Sequence, residues 1–285
     1  MFPLFIAGVL ALSPQQQTDT TFAVRAGGTV QLETFSGTVR VRSWDQDRMR
    51  VRARHAANVR IRIEQDGSTI QVDPDARRGL ARDISLEITV PRRFGAEIEG
   101  VSLEVDVADL EGDVGIETVR GPIVVRNVAG RVDVSCTNGM VTIDGTRGSL
   151  TAETVNDGIR ITDHDGEIDA EAINNAVTMS GIRSGDVSVE TTNGEIRYNG
   201  EIRDDGRYHF ESHNGDLVVD VPVGANAIVS VDTYNGEIEA DFPIQLSGTR
   251  NRRSVTFEIG DGGARMDLSS FGGTIRLRRA DTGRR

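Results

Sequence analysis

Carboxylates, four histidines and one cysteine are the side chains of this 285-residue chain that could do chemistry. A hydrolytic site requires two carboxylates held at a fixed separation inside a cleft. Carboxylates such as Asp163, Asp165 and Glu167 instead follow one another along the chain, and no long insertion interrupts it to build cleft walls. The sequence therefore predicts no catalytic residues and a protein that is not an enzyme.

His209, Glu211 and His213 form the best candidate metal site, because alternation along a strand would place all three on one face. A strand rises about 3.3 Å per residue, so the two histidines would stand about 13 Å apart, whereas zinc binds nitrogen at about 2 Å. We therefore predict no metal and no cofactor. Cys136, the only cysteine, falls at a small inward position and is predicted to be a buried, inert thiol.

A short phrase that ends in Asn-Gly or in glycine recurs every 18 to 21 residues, and another glycine divides each unit near its middle. Alternating apolar residues follow each glycine, as at Val132 and Val134, and this alternation is typical of strands. Units this small cannot bury an apolar face alone and must stack on their neighbours. The sequence therefore predicts an all-β solenoid with coils of 18–21 residues.

Stacking the phrases in chain order predicts four columns of side chains, one of which is an inward column of small residues that contains Cys136. An apolar column, which includes Val189 and ends with Phe210 and Val231, would point into the core. The acidic residues that follow it would point outward and form an interaction face: Glu153, Glu171, Glu190, Glu211 and Asp232. Asparagines would form a hydrogen-bonded ladder at a corner, where asparagine and glycine enter left-handed turns at low cost: Asn138, Asn156, Asn174, Asn193, Asn214 and Asn235.

The ends of the chain differ from its repetitive middle. Residues 1–17 are predicted to be a signal peptide, because residues 2–12 are apolar and a small-residue cleavage pattern follows them, although no basic residue precedes Arg25. Residues 20–95 lack the glycine rhythm and are predicted to form a β-rich N-terminal cap. Residues 96–279 are predicted to be the solenoid and residues 280–285 a disordered basic tail. No segment after the signal peptide is long and apolar enough to be a transmembrane helix.

The net charge of −12 bears on whether the chain could bind nucleic acid. Acidic residues dominate the repeats, and nucleic acids require a basic surface. The sequence therefore excludes nucleic acid as a partner.

Several segments together resemble a known family. They are VRVRSWDQDRMRV at residues 39–51, LEITVP at residues 86–91, the repeated Asn-Gly units, and the glycine-rich residues 260–277. In order and spacing the chain is similar to the bacterial putative adhesin family over about residues 22–279. The resemblance implies an exported, right-handed parallel β-solenoid and brings no catalytic residues.

The main functional prediction is an exported, non-enzymatic β-repeat protein of the cell envelope or surface that acts as an adhesin or interaction module. Its partner would be an envelope or surface protein or a glycan, met in the periplasm, at the cell surface or after secretion. Two alternatives remain open. One is a carbohydrate-active enzyme, a polysaccharide lyase or hydrolase on the same scaffold, and the other is an accessory protein of envelope signalling.

Overall fold

The computed structural model describes residues 15–77, 79–246 and 254–280. Every helix or strand element within these ranges is a strand, so the prediction of an all-β fold is confirmed. Residues 1–14 of the predicted signal peptide and residues 281–285 of the predicted tail lie outside the described residues.

Twenty-five strands follow one another along the described chain. They are β1 (Gln15–Ala23), β2 (Thr29–Trp44), β3 (Arg48–Ala56), β4 (Val59–Asp66), β5 (Thr69–Ala76), β6 (Ile84–Pro91), β7 (Gly95–Ala108), β8 (Val114–Arg120), β9 (Ile123–Arg126), β10 (Val132–Asn138), β11 (Val141–Asp144), β12 (Leu150–Thr154), β13 (Ile159–Thr162), β14 (Ile168–Ala172), β15 (Val177–Ile182), β16 (Asp186–Thr191), β17 (Ile196–Gly200), β18 (Arg207–Ser212), β19 (Leu217–Val221), β20 (Ala227–Thr233), β21 (Ile238–Ala240), β22 (Gln245–Leu246), β23 (Ser254–Ile259), β24 (Ala264–Ser270) and β25 (Ile275–Arg279).

Two mostly parallel sheets form the walls of the solenoid, and each repeat contributes one strand to each sheet. Sheet 1 has the spatial order β4-β5-β2-β7-β8-β10-β12-β14-β16-β18-β24-β20-β23-β22. Sheet 2 has the order β1-β3-β6-β2-β7-β9-β11-β13-β15-β17-β19-β25-β21. The long strands β2 and β7 continue round a corner and belong to both sheets. The predicted parallel β-solenoid is therefore confirmed.

The core lies between the two sheets because alternate residues of each strand point inward. Val134, Ala152, Ala170 and Val189 pair in register on consecutive strands and are almost completely buried. Their outward neighbours remain accessible to solvent, as the period of two in the sequence predicts. The repeat thus produces one continuous, narrow apolar core.

Both ends of the solenoid are interleaved, so chain order differs from spatial order there. In sheet 1, β24 comes last in the sequence but lies between β18 and β20. In sheet 2, β25 comes last in the sequence but lies between β19 and β21. The prediction that Val231 stacks directly on Phe210 is therefore wrong, because Leu268 lies between them. At the other end, β2 lies between β7 and the coil formed by β5 and β6.

Antiparallel strands flank both sheets at the N-terminal end and sheet 1 at the C-terminal end, whereas among the described residues β21 of sheet 2 pairs only with β25. In residues 20–95, β4 pairs with β5, while β3 pairs with β6 and carries β1 on its other edge. At the C-terminal end, β23 pairs with β20. Pairing with an antiparallel strand protects the edge of a coil from strands of other chains, which are a hazard at the end of a solenoid.

Deletion of residues 264–285 is expected to unfold more of the chain than the deleted strands. Because β24 and β25 are the parallel partners of β20 and β21, the outermost coil would lose its support. Hydrogen exchange should show that amides of residues 227–240 become unprotected, whereas deletion of residues 281–285 should leave them protected. Retained protection in the larger deletion would show that the interleaved order does not hold this end together.

Candidate interaction face

Sheet 1 carries a column of carboxylates on its outer surface. The residues share one in-register position on successive strands, about 4.8 Å apart. In spatial order this acidic column is Glu33, Glu99, Glu117, Ser135, Glu153, Glu171, Glu190, Glu211, Ser269 and Asp232. Asp73 continues the column beyond Glu33, since it follows the last paired residues of β2 and β5, Leu32 and Val72. All of its carboxylate residues are exposed.

The five residues predicted for the interaction face all belong to this column, but they are not all neighbours. Glu153, Glu171, Glu190 and Glu211 lie on consecutive strands. Asp232 is separated from Glu211 by Ser269, since β24 lies between their strands.

Sequence reasoning missed the N-terminal members of the column. Glu33 belongs to the phrase Glu33-Thr34-Phe35-Ser36-Gly37, which matches the repeat phrase and is the signal that could have identified β2 as a coil. Glu99 follows Ile98 in the same way that Glu117 follows Ile116, but a glycine replaces the small polar residue that comes next.

Most carboxylates of the acidic column form no ion pair with an arginine of the described residues. Between Glu33 and Glu211, no arginine in the described part of the chain forms an ion pair with it. Glu211 has a weaker contact, since its Oε2 lies 3.6 Å from His209 Nε2. At the N-terminal end, Asp73 Oδ2 lies 3.9 Å from Arg62 Nη2.

Sheet 2 differs, because several of its outward carboxylates pair with arginines on adjacent strands. Arg126 Nη2 lies 2.8 Å from Asp106 Oδ1, and Arg52 Nε lies 3.5 Å from Asp19 Oδ2. Hydrogen bonds from Arg50 lower the pKa of Asp19. The two faces of one solenoid thus differ in electrostatics, and the consecutive run of carboxylates without arginine partners in the described residues lies on sheet 1.

An apolar ridge runs beside the acidic column at the corner of sheet 1. Each ridge residue follows the column residue by two positions and therefore points outward as well. In spatial order the corner ridge is Phe35, Val101, Val119, Thr137, Val155, Ile173, Thr192, His213, Phe271 and Tyr234. At its C-terminal end, the Phe271 ring stacks on those of His213 and Tyr234, with centroid distances of 4.8 Å on both sides.

The repeat phrase builds the corner that positions the column and the ridge. Ser212 Oγ accepts a hydrogen bond from the Gly215 amide at 2.8 Å and donates one to the Gly194 carbonyl of the preceding coil at 3.1 Å. A Cβ atom on Gly215 would lie 1.7 Å from that same carbonyl oxygen. Glycine is therefore required by the close approach of the next coil rather than by a left-handed backbone.

The asparagine ladder is present from Asn138 to Asn214, and each Nδ2 donates to the Oδ1 of the preceding asparagine. The four distances along Asn138, Asn156, Asn174, Asn193 and Asn214 are 2.7, 3.0, 3.0 and 2.8 Å. The prediction that Asn235 continues the ladder is wrong, because the coil that contains Gly272 lies between Asn235 and Asn214.

The expected left-handed conformation is not found at the ladder. None of its asparagines has a positive φ. Left-handed residues instead form a column at an opposite corner, after the strands of sheet 2, and they recur at 18-residue spacing: Asp109, Asn127, Gly145, Asp163 and Gly181.

A groove of about 580 Å³ lies at the N-terminal end of the acidic column. The column supplies its acidic wall, and the start of the ridge together with a neighbouring loop supplies its apolar wall. The apolar side chains are Phe35, Leu80, Val101 and Val119. Arg82 is placed over the Phe35 ring, 5.3 Å from its centroid.

The cysteine and histidine side chains that could do chemistry lie in settings that suit a structural role. In the described residues no group of three or more histidine, cysteine, aspartate or glutamate side chains is suited to hold a metal ion. Cys136 is buried, and burial raises the pKa of its thiol. His164 is also buried, which lowers the pKa of its imidazole, and its Nδ1 lies 2.8 Å from Thr146 Oγ1.

Replacing Glu171 and Glu190 together by glutamine is expected to stabilise the protein by about 1 kcal/mol at low ionic strength. Each neighbouring pair of carboxylates at 4.8 Å repels by roughly 0.9 kcal/mol in water, reduced where side chains splay apart. Chemical denaturation in about 0.01 M and 1 M salt would measure the gain, which should vanish at high salt because the Debye length falls to about 3 Å.

The matched control for this pair is Asp144→Asn on sheet 2, whose in-register neighbours are Arg126 and Thr162. It should give no stabilisation. An equal gain in the control would mean that general charge reduction, and not the acidic column, explains the effect.

These parallel coils, with a capped corner in each repeat, define a β-solenoid. The chain belongs to the Toastrack DUF4097 family, whose model matches residues 28–278. The resemblance to the putative adhesin family of unknown function is thereby confirmed. No curated protein matches the chain by sequence.

Several solved structures are similar over most of the chain. A putative adhesin from Bacteroides fragilis NCTC 9343 is 12% identical, covers 93% of this chain and 98% of its own, and has a TM-score of 0.42. A putative adhesin from Parabacteroides merdae ATCC 43184 is 9% identical, with coverages of 92% and 96% and a TM-score of 0.46. A putative lipid binding protein from Parabacteroides distasonis ATCC 8503 is 12% identical, with coverages of 91% and 96% and a TM-score of 0.39.

Within the described ranges there is no helix with the length and apolar character needed to cross a bilayer.

Proposed function

We propose that this protein is an exported, non-enzymatic interaction module of the cell envelope that binds a cationic partner on the outer face of sheet 1. Export is supported by the apolar residues 2–12 at the start of the chain. The binding face is the acidic column together with the corner ridge.

The observation that carries this proposal is the difference between the two faces. On sheet 2, arginines on adjacent strands neutralise several outward carboxylates, as at Asp106 and Asp19. On sheet 1, the consecutive residues Glu153, Glu171 and Glu190 stand about 4.8 Å apart without such partners in the described residues. A cationic partner would relieve their mutual repulsion, and complementary charge would also speed its association.

The exposure of these carboxylates favours binding over hydrolysis. A glycosidase needs one carboxylic acid whose pKa is raised by an apolar setting, beside a second carboxylate that stays ionised. Glu153, Glu171 and Glu190 instead occupy equivalent, solvent-exposed positions on a sheet surface. Such an array suits multivalent contact with a partner that carries many positive charges.

Binding of poly-lysine to two variants with the same net charge would test this function. The face variant replaces four acidic-column residues by glutamine: Glu153, Glu171, Glu190 and Glu211. The control variant neutralises four carboxylates away from that face with asparagine or glutamine: Asp144, Glu201, Asp220 and Asp241.

We expect the face variant to bind at least about tenfold more weakly than the wild type at moderate salt, and the control to change less than about twofold. Wild-type affinity should also fall steeply as salt rises. Equal losses in the two variants would mean that net charge alone attracts the polymer and would refute a dedicated face.

A further inference from the structure

The corner ridge concentrates the exposed apolar surface of the described chain. In the described residues nine large apolar side chains are exposed. Five of them lie on the ridge: Val101, Val119, Ile173, Tyr234 and Phe271. A sixth, Leu80, lies in the groove beside the start of the ridge and is 54% exposed. Thr137, Thr192 and His213 interrupt the ridge. Clusters of exposed apolar side chains such as Val101 with Val119, and Phe271 with Tyr234, mark interaction sites in soluble proteins.

The ridge and the acidic column run parallel to the solenoid axis. They are two residues apart along the chain, and both repeat about every 4.8 Å from coil to coil. A matching partner must therefore present a basic stripe and an apolar stripe side by side, each with a period near 5 Å.

An α-helix laid along the solenoid axis meets this requirement. Its side chains return to the same face once per turn, about every 5.4 Å. Over the three steps from Glu153 to Glu211 the mismatch accumulates to about 2 Å, which flexible lysine and arginine side chains can absorb. An extended strand repeats about every 6.6 Å on one face and loses register after two coils.

We propose that the cationic partner is a basic amphipathic α-helix that lies along the solenoid axis, with its basic stripe on the acidic column and its apolar stripe on the corner ridge. This inference rests on the function proposed above. The groove lined by Leu80 and Val119 accepts the largest apolar side chain of the helix, because it joins apolar walls to Glu33 and Glu117. Helix recognition of this kind depends on such apolar anchors.

Two peptides of identical composition would test the inference on the full-length chain. Each has about 18 residues of lysine, leucine and one tryptophan, and as a helix spans about 27 Å, or between five and six coils. In the first peptide the basic and apolar stripes are adjacent, and in the second the order is scrambled so that no stripe forms. Fluorescence anisotropy would measure Kd, and circular dichroism would measure helix content on binding.

Matched protein variants separate the apolar contact from the electrostatic one. Val101→Ser with Val119→Ser removes two exposed ridge residues, and Val223→Ser removes an apolar residue that is 74% exposed outside the ridge. Neither variant alters a buried side chain or a charge.

We expect the amphipathic peptide to bind at least about tenfold more tightly than the scrambled peptide and to gain helix on binding. The double ridge variant should lose most of that preference, and Val223→Ser should keep it. Equal affinity for both peptides, or an unchanged preference in the ridge variant, would overturn the helix while leaving the acidic face as a polycation site. Tight binding of chitosan with the same dependence on Val119 would also overturn it, in favour of a cationic glycan. No binding of either peptide at low salt would refute the proposed function itself.

Discussion

The Val189→Asp variant is expected to be unfolded at 25 °C. Val189 is fully buried in the core column, between Ala170 and Phe210 on the adjacent strands. A carboxylate there would lose its hydration without gaining a partner, at a cost of several kcal/mol, which is comparable to the whole stability of many domains. Far-UV circular dichroism and thermal melts of the purified variant would measure this effect.

The adjacent outward position provides the control. Glu190→Ser changes a side chain that points to solvent from the same strand and should stay within about 1 kcal/mol of the wild type. Equal stability of the two variants would show that the inward and outward faces of the strand have been exchanged.

The Gly215→Ala variant is expected to be destabilised by about 3 kcal/mol or more. Its Cβ would lie 1.7 Å from the Gly194 carbonyl oxygen and 2.8 Å from Ser212 Oγ, so the corner of one coil would have to move away from the next. That movement would break the hydrogen bonds that Ser212 makes to both glycines. Chemical denaturation would measure the loss.

Gly115→Ala is the matched control, because this glycine lies within a strand of the same solenoid. The atom nearest to its added Cβ is Glu97 Cγ, at 3.9 Å, which is an ordinary contact. The substitution should be neutral or slightly stabilising. If Gly215→Ala were equally harmless, close approach of the coils would not be the reason for glycine in the repeat phrase.

The central coils could be predicted because local and global signals agree in them. The phrase Glu190-Thr191-Thr192-Asn193-Gly194 combines an outward acid, an inward turn-capping residue, a ridge residue, a ladder amide and a glycine at the coil contact. Each role repeats at one spacing, so stacking in register follows from the sequence alone.

The ends could not be predicted in the same way, because sequence order does not determine which coil pairs with which. In the last coil the phrase reads Ser269-Ser270-Phe271-Gly272-Gly273, without the acid and the asparagine. Its insertion between β18 and β20 is a non-local pairing that no local pattern records.

The candidate interaction face was likewise predictable in its central part but not at its end. The Glu153–Glu211 run was predictable from alternation, whereas the N-terminal groove depends on Phe35 and Leu80, which come from different parts of the chain. The sequence also could not predict that the described residues supply no arginine partner to this run, since that depends on which residues meet across the strands. Only the spatial order of the coils shows that arginines pair with acids such as Asp106 on sheet 2 but not with the Glu153–Glu211 run on sheet 1.

Carboxyl footprinting would test the central claim, that the outer face of sheet 1 is the binding face, most directly. Aspartate and glutamate side chains would be labelled with a carbodiimide and an amine, with and without poly-arginine, whose guanidinium groups do not couple to activated carboxyls, and the modification of each residue measured by mass spectrometry. The account predicts protection of Glu153, Glu171 and Glu190, with Asp144 and Asp220 on sheet 2 labelled as in the free protein. Equal protection of both faces, or protection confined to sheet 2, would contradict it.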